Sequence, residues 1–146
     1  AGVRTFDAAS FLRGLGADTI EVKKMFMDDL EDYLVIADTI RSAEVKNGLA
    51  IAVAPKRIKK GFMAARAADE LLNISGINVC FVLAEINGDI TISGRSIGET
   101  NVQVILEAIG GGGHMNMAGA QLNNTSIESA IKILKRSIEE HLKVGE

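Results

Sequence analysis

The sequence is short of the residues that cross-link or punctuate a protein. Its 146 residues hold one cysteine, one proline, no tryptophan and 4% aromatics. A lone Cys80 excludes an internal disulfide and favours a reducing compartment. Its place in the apolar run from Ile77 to Ala84 reads as a small core residue. Scarce aromatic rings leave no stacking platform for extended nucleic acid, and a net charge of -3 without a lysine- or arginine-rich tail supplies no field to attract it. Any polyanionic partner must be small or locally held. No apolar run reaches the roughly 18 residues of a membrane helix. Nor does Ala1-Gly2-Val3-Arg4 open a signal peptide, so no membrane contact is expected of this segment, which should be soluble. Repeats and low-complexity tracts are missing too. What is there is globular: 47% apolar and 24% charged residues, enough for one ordinary core. Opening on alanine fits either a segment of something larger or a processed N-terminus.

Apolar spacing predicts a short helix over residues 7–15, stopped at Gly16, and a long amphipathic helix from Asp18 to near Asn47-Gly48. Leu49 to Ala54, closed by Pro55, reads as a buried strand, and Phe62 to Leu72 as an alanine-rich helix. Val79 to Ile86 and Ile90 to Gly94 are strands joined by the hairpin signal Asn87-Gly88. A helix over residues 101–109 meets four glycines, and a strand near Met117 to Leu122 and a helix from Ser126 to about Leu142 complete the pattern. The expected fold class is α/β, a mixed sheet flanked by helices with an N-terminal helical connector arm. Residues 1–47 form the arm and residues 48–146 the domain proper.

Gly110-Gly111-Gly112-Gly113-His114 is the sharpest feature. One glycine suffices to end a helix, and each further one costs roughly 0.5–1 kcal/mol relative to alanine. Either bare backbone forms an anion-binding nest beside an imidazole donor, or this is a flexible turn next to a core histidine. Ser93-Gly94-Arg95-Ser96 precedes the start of a helix and reads either as a phosphate grip or as a surface arginine on a turn. Lys56-Arg57-Ile58-Lys59-Lys60 reads as a solvated helix start that could also steer a nucleotide. His141 suits a helix C-terminus, and the acids Asp28, Asp29, Glu31 and Asp32 form a helix face without histidine, so no metal is assigned to them.

Gly111-Gly112-Gly113-His114 followed by Ala118-Gly119-Ala120, and preceded by Ser93-Gly94-Arg95-Ser96, resembles the DHH-associated C-terminal domain. The stretch from Arg4 to Arg13 with Gly16-Ala17-Asp18 resembles the connector that follows the DHH domain in bacterial membrane-anchored cyclic di-AMP phosphodiesterases. Met117-Ala118-Gly119 departs from the paired alanines common there. The resemblance implies a substrate-recognition domain of a manganese-dependent phosphodiesterase converting cyclic di-AMP to pApA. It places Mn2+ in an upstream DHH domain of the same polypeptide, leaving this chain without catalytic residues or cofactor and inactive alone. Phosphate contact falls to Arg95 and His114, with Ser93, Ser96, Gly111, Gly112 and Gly113 shaping the pocket. Alternatives within the resemblance are an oligoribonuclease or pAp phosphatase, a RecJ-like exonuclease, or a non-catalytic RNA-binding module as in alanyl-tRNA synthetases. A cyclic dinucleotide or short oligonucleotide is the implied ligand. The parent is expected to be anchored in the bacterial membrane with this part on the cytoplasmic side, and a homodimer through the striped helices is a further expectation.

Overall fold

The computed structural model describes the backbone of residues 19–142 and the side chains of residues 30–142. The chain divides into two units at Tyr33–Leu34, and the sheet and the candidate site lie in the second. Its elements are α1 (Thr19–Arg41), β1 (Glu44–Lys46), β2 (Leu49–Val53), α2 (Gly61–Leu72), β3 (Val79–Ile86), β4 (Asp89–Ser96), α3 (Val102–Glu107), β5 (Gly112–His114), β6 (Met117–Leu122) and α4 (Ile127–His141). The predicted helix over residues 7–15 lies outside the described residues.

The six strands form one mixed sheet in the order β1-β2-β3-β4-β6-β5, which makes the fold α/β as expected. Only β2 and β3 run parallel, joined through α2; every other neighbouring pair is antiparallel. Period-two alternation splits the burial of β3 between two cores. Cys80, Val82 and Ala84 face the first, with Ala50 and Ala52 of β2, the C-terminal half of α1 and the inner side of α2. Val79, Phe81 and Leu83 face the second, with Ile90 and Ile92 of β4, α3 and α4. Alanines at 64, 67 and 68 are fully buried, which lets α2 lie close on the sheet. The two later helices are capped: Asn101 Oδ1 accepts from the Val104 N–H at 3.2 Å, and Ser126 Oγ from the Ser129 N–H at 3.1 Å.

The long helix ends at Arg41, earlier than its apolar stripe suggests. Asn47 and Gly48, with φ of 51° and 80°, form a hairpin turn between β1 and β2 instead of a helix stop. The sheet therefore begins at Glu44, inside the stretch assigned to the helical arm. β4 likewise runs two residues beyond Gly94, to Ser96.

Cys80 is fully buried with its Sγ 3.2 Å from the Ala68 carbonyl oxygen. Burial pushes the thiol up to about 12, against the opposing pull of the Arg95 charge. The thiol therefore stays protonated well above neutral pH. Treatment with a disulfide reagent at pH 8 should leave the folded protein unmodified, and guanidinium should release its single thiol to full reaction. Rapid labelling of folded protein would contradict the burial.

Candidate functional site

β4 is the spine of the site because its alternate residues face opposite sides of the sheet. Ile90, Ile92 and Gly94 turn to the second core, where a Cβ on Gly94 would come within 3.0 Å of Leu106 and Phe81 side-chain carbons. The alternate residues Thr91, Ser93 and Arg95 therefore share the opposite face. Strand register extends that face sideways. Arg95 pairs with Met117 of β6, and Met117 with His114 of β5, so Arg95 and His114 stand on one face two strands apart, about 10 Å at the backbone. In the adjacent row, Ser93 pairs with Gly119 and Gly119 with Gly112. The result is a shelf whose floor is a serine and two glycines, bordered by an arginine, a half-exposed methionine and an exposed histidine.

The polar groups of this shelf are under-used. Arg95 is 9% exposed; its Nε donates to Asp69 Oδ1 at 2.8 Å and its Nη1 to the Gly94 carbonyl oxygen at 2.9 Å. A guanidinium has five N–H bonds, so three remain without an acceptor among the described residues. Ser93 is 7% exposed, and its hydroxyl also lacks a hydrogen-bond partner among them. No buried side-chain nitrogen or oxygen among the described residues lacks a hydrogen-bond partner, so the donors left open here are those that water or a ligand can reach.

The four glycines do three different jobs. Gly110 (φ 96°) ends α3 in a Schellman arrangement, donating to the Glu107 carbonyl at 3.0 Å while the Gly111 N–H donates to that of Leu106 at 2.7 Å. Gly111 and Gly113 let β5 press against β6. A Cβ on Gly111 would overlap the Gly119 carbonyl oxygen and lie 2.7 Å from the Ala120 Cβ, and one on Gly113 would lie 2.5 Å from the Met117 carbonyl oxygen. Gly112, like Gly110, has nothing within 4 Å of the position a Cβ would take, and unlike Gly110 it is not held at a positive φ.

Ser96 is not on the shelf. The alternation of β4 turns its side chain away from that of Arg95, and its hydroxyl donates to the Thr100 carbonyl oxygen at 2.6 Å. Asn116 Nδ2 donates to Ser96 Oγ at 2.9 Å and to the Gly98 carbonyl at 3.0 Å, and the Val102 N–H to the Met115 carbonyl at 2.8 Å. These bonds clamp the turn that follows His114 to the loop that follows β4. Of the seven residues singled out by sequence, the structure thus gathers Ser93, Arg95, Gly112 and His114 on one face, uses Gly111 and Gly113 for strand contact, and uses Ser96 behind it.

Asp69 and Asn116 carry no local sequence signal. A buried arginine in a strand nevertheless demands a carboxylate from some neighbouring element, and Asp69 faces it from α2. The basic run is largely spent elsewhere: Ile58 is buried, Arg57 pairs with Asp38, and Lys60 Nζ sits 5.7 Å from the centre of the Phe62 ring. His141 Nδ1 lies 3.0 Å from the Ser137 carbonyl oxygen, at the end of α4.

Three comparisons bear on the arrangement. The family model of the DHHA1 domain matches residues 46–140. The chain is 40% identical over 149 residues to the cyclic-di-AMP phosphodiesterase GdpP of Bacillus subtilis, covering 99% of this chain and 23% of that protein. It is 42% identical over 146 residues to the cyclic-di-AMP phosphodiesterase PdeA of Listeria monocytogenes, covering 97% and 22%. It thus spans less than a quarter of the length of these curated relatives. Among solved structures, an exopolyphosphatase-related protein from Bacteroides fragilis superposes with a TM-score of 0.68 at 20% identity, over 94% of this chain and 43% of that one, a likeness of fold.

The glycine roles separate experimentally. Gly111→Ala and Gly113→Ala should each destabilise the domain by about 2 kcal/mol or more, read by thermal or urea unfolding. Gly112→Ala should unfold close to the wild type. Equal losses at all three positions would mean that Gly112 too is held by strand packing.

Proposed function

The chain belongs to the DHHA1 domain family, and from that premise we propose that it is the substrate-recognition part of a phosphodiesterase that hydrolyses cyclic di-AMP to pApA. Its homologues at 40–42% identity are cyclic-di-AMP phosphodiesterases. The observation that carries the reading is the incompletely satisfied, nine-tenths buried Arg95 beside the unpartnered Ser93 hydroxyl.

In this reading the planar Arg95 donors take two oxygens of a phosphate, the Ser93 hydroxyl takes a third contact, and His114 donates from the far border of the shelf. Gly112 lets the nucleotide approach the backbone. Gly111 and Gly113 shape the pocket indirectly by setting the position of β5, and Ser96 does so through the clamp on the His114 turn. Such an arrangement binds and orients a phosphodiester, and its contribution to rate is positioning.

The hydrolytic step belongs to another segment of the polypeptide, a DHH domain holding Mn2+. The residues here do not fit a metal: among the described residues no three His, Cys, Asp or Glu side chains come together. When bound in such a domain, the ions would activate the attacking water. Among the described residues no helix is long and apolar enough to cross a membrane, so membrane anchoring on the cytoplasmic side would also lie in other segments. A homodimer through the helical arm remains part of the proposal and is open to light scattering.

Calorimetric titration with cyclic di-AMP at modest ionic strength tests the site. Arg95→Ala and His114→Ala should each weaken binding at least about tenfold, as expected when a charge-assisted hydrogen bond is lost, with unchanged thermal stability for His114→Ala. Wild-type affinity in Arg95→Ala would remove the phosphate-grip assignment. Manganese-dependent hydrolysis by this chain alone would refute the division of labour.

A further inference from the structure

On the shelf face of β6 a large side chain, none and another large one follow each other: Met117, Gly119 and Gln121. Met117 is 52% exposed and Gln121 is exposed too, so the two stand up from the sheet on either side of a notch one residue wide. Strand register continues the notch across the sheet, since Gly119 pairs with Ser93 on one side and with Gly112 on the other. Neither glycine is demanded by the fold. A Cβ on Gly112 would meet nothing within 4 Å, and one on Gly119 only the Ile92 carbonyl oxygen at 3.4 Å, an ordinary contact; neither residue has a positive φ. Glycine inside a strand weakens it and marks a bulge, a bend or the close approach of another group, and the pairing runs through both positions without a bulge. At the inner end of the row Ser93, 7% exposed, faces the notch with a hydroxyl that has no hydrogen-bond partner among the described residues and is within reach of water or a ligand.

We infer that Gly119 and Gly112 form a base platform: the planar base of a nucleotide lies flat on the bare peptide groups of β6 and β5, in the row that starts at Ser93. The inference rests on the proposal that nucleotide phosphate binds at Arg95. Arg95 and Ser93 share one face of β4, and strand spacing puts Gly119 about 5 Å and Gly112 about 10 Å from Ser93. A phosphate held at the β4 end therefore leaves its sugar and base the width of two strands to lie on, enough for a fused purine ring. Peptide planes without side chains give the ring dispersion contact over a whole face. Met117 borders it with a thioether that adapts to a ring edge, and Gln121 closes the other side. Such a platform needs no aromatic side chain, so a chain with 4% aromatics can hold a single base. A side chain at position 119 would fill the notch and hold the ring off the backbone.

The test titrates wild type, Gly119→Ala and Gly119→Val with cyclic di-AMP and with ribose 5-phosphate, which has a phosphate and no base, and follows the amide resonances. In the wild type the Gly112 and Gly119 amides should move upfield with cyclic di-AMP, under the ring current of the base, and show no such shift with ribose 5-phosphate. Both variants should unfold at or above the wild-type temperature, because either residue suits a strand better than glycine. Gly119→Val should nevertheless weaken cyclic di-AMP about tenfold or more, Gly119→Ala less, and both should leave ribose 5-phosphate at its wild-type affinity. Binding of cyclic di-AMP that Arg95→Ala removes and Gly119→Val leaves intact would overturn the platform and keep the phosphate grip. Equal losses for the two ligands in Gly119→Val would also overturn it, and so would a clear fall in the unfolding temperature of Gly119→Ala, which would mean that packing requires the glycine. A wild type that binds no cyclic di-AMP removes the nucleotide reading and the platform with it.

Discussion

A side chain on Gly113 would drive its Cβ to 2.5 Å from the Met117 carbonyl oxygen, and one on Gly111 would overlap that of Gly119. This backbone-to-backbone closeness of β5 and β6 is the constraint on which the rest of the site depends. It seats His114 in register with Met117 and so with Arg95, and it leaves Gly112 facing outward over an empty floor. Glycine at the two inner positions is thus a matter of strand packing, and glycine at the outer one a matter of access. Three chemically identical residues in a row answer to different demands because alternation sends neighbouring positions to opposite faces.

The arginine makes the complementary demand. Burying a guanidinium is expensive unless it is paired, and pairing it fully would leave nothing with which to hold a ligand. The structure occupies a middle state: Asp69 and the Gly94 carbonyl satisfy two N–H bonds and three are left. The N–H bonds left over belong to atoms that water can reach, and the first core flanks Arg95 on its own face of the sheet at Cys80, its partner on β3.

Much of this was legible in the chain. Asn87-Gly88 announced its hairpin, Gly110 its helix stop, and the serine at 126 its helix cap, because each is a local rule read over a few residues. β1 was not, since Glu44-Val45-Lys46 is exposed along its whole length and carries no alternation to separate it from the helix before it. The placement of Ser96 behind the shelf was hidden for a similar reason. Ending β4 at Gly94 made Arg95 and Ser96 look like neighbours in a turn; extending the strand by two residues puts them on opposite faces by the same period-two rule. Asp69 lies 26 positions from Arg95, and only tertiary register brings the two together.

The outer strands of the sheet have a bearing on how copies of the domain treat one another. Each is three residues long, Glu44–Lys46 at one border and Gly112–His114 at the other. Unpaired strand borders are templates for intermolecular zippering, and proteins blunt them by shortness, charge and poor strand formers. Here one border carries a glutamate and a lysine and the other two glycines. Both borders are therefore poor templates for a foreign strand, which disfavours association of copies through a shared sheet.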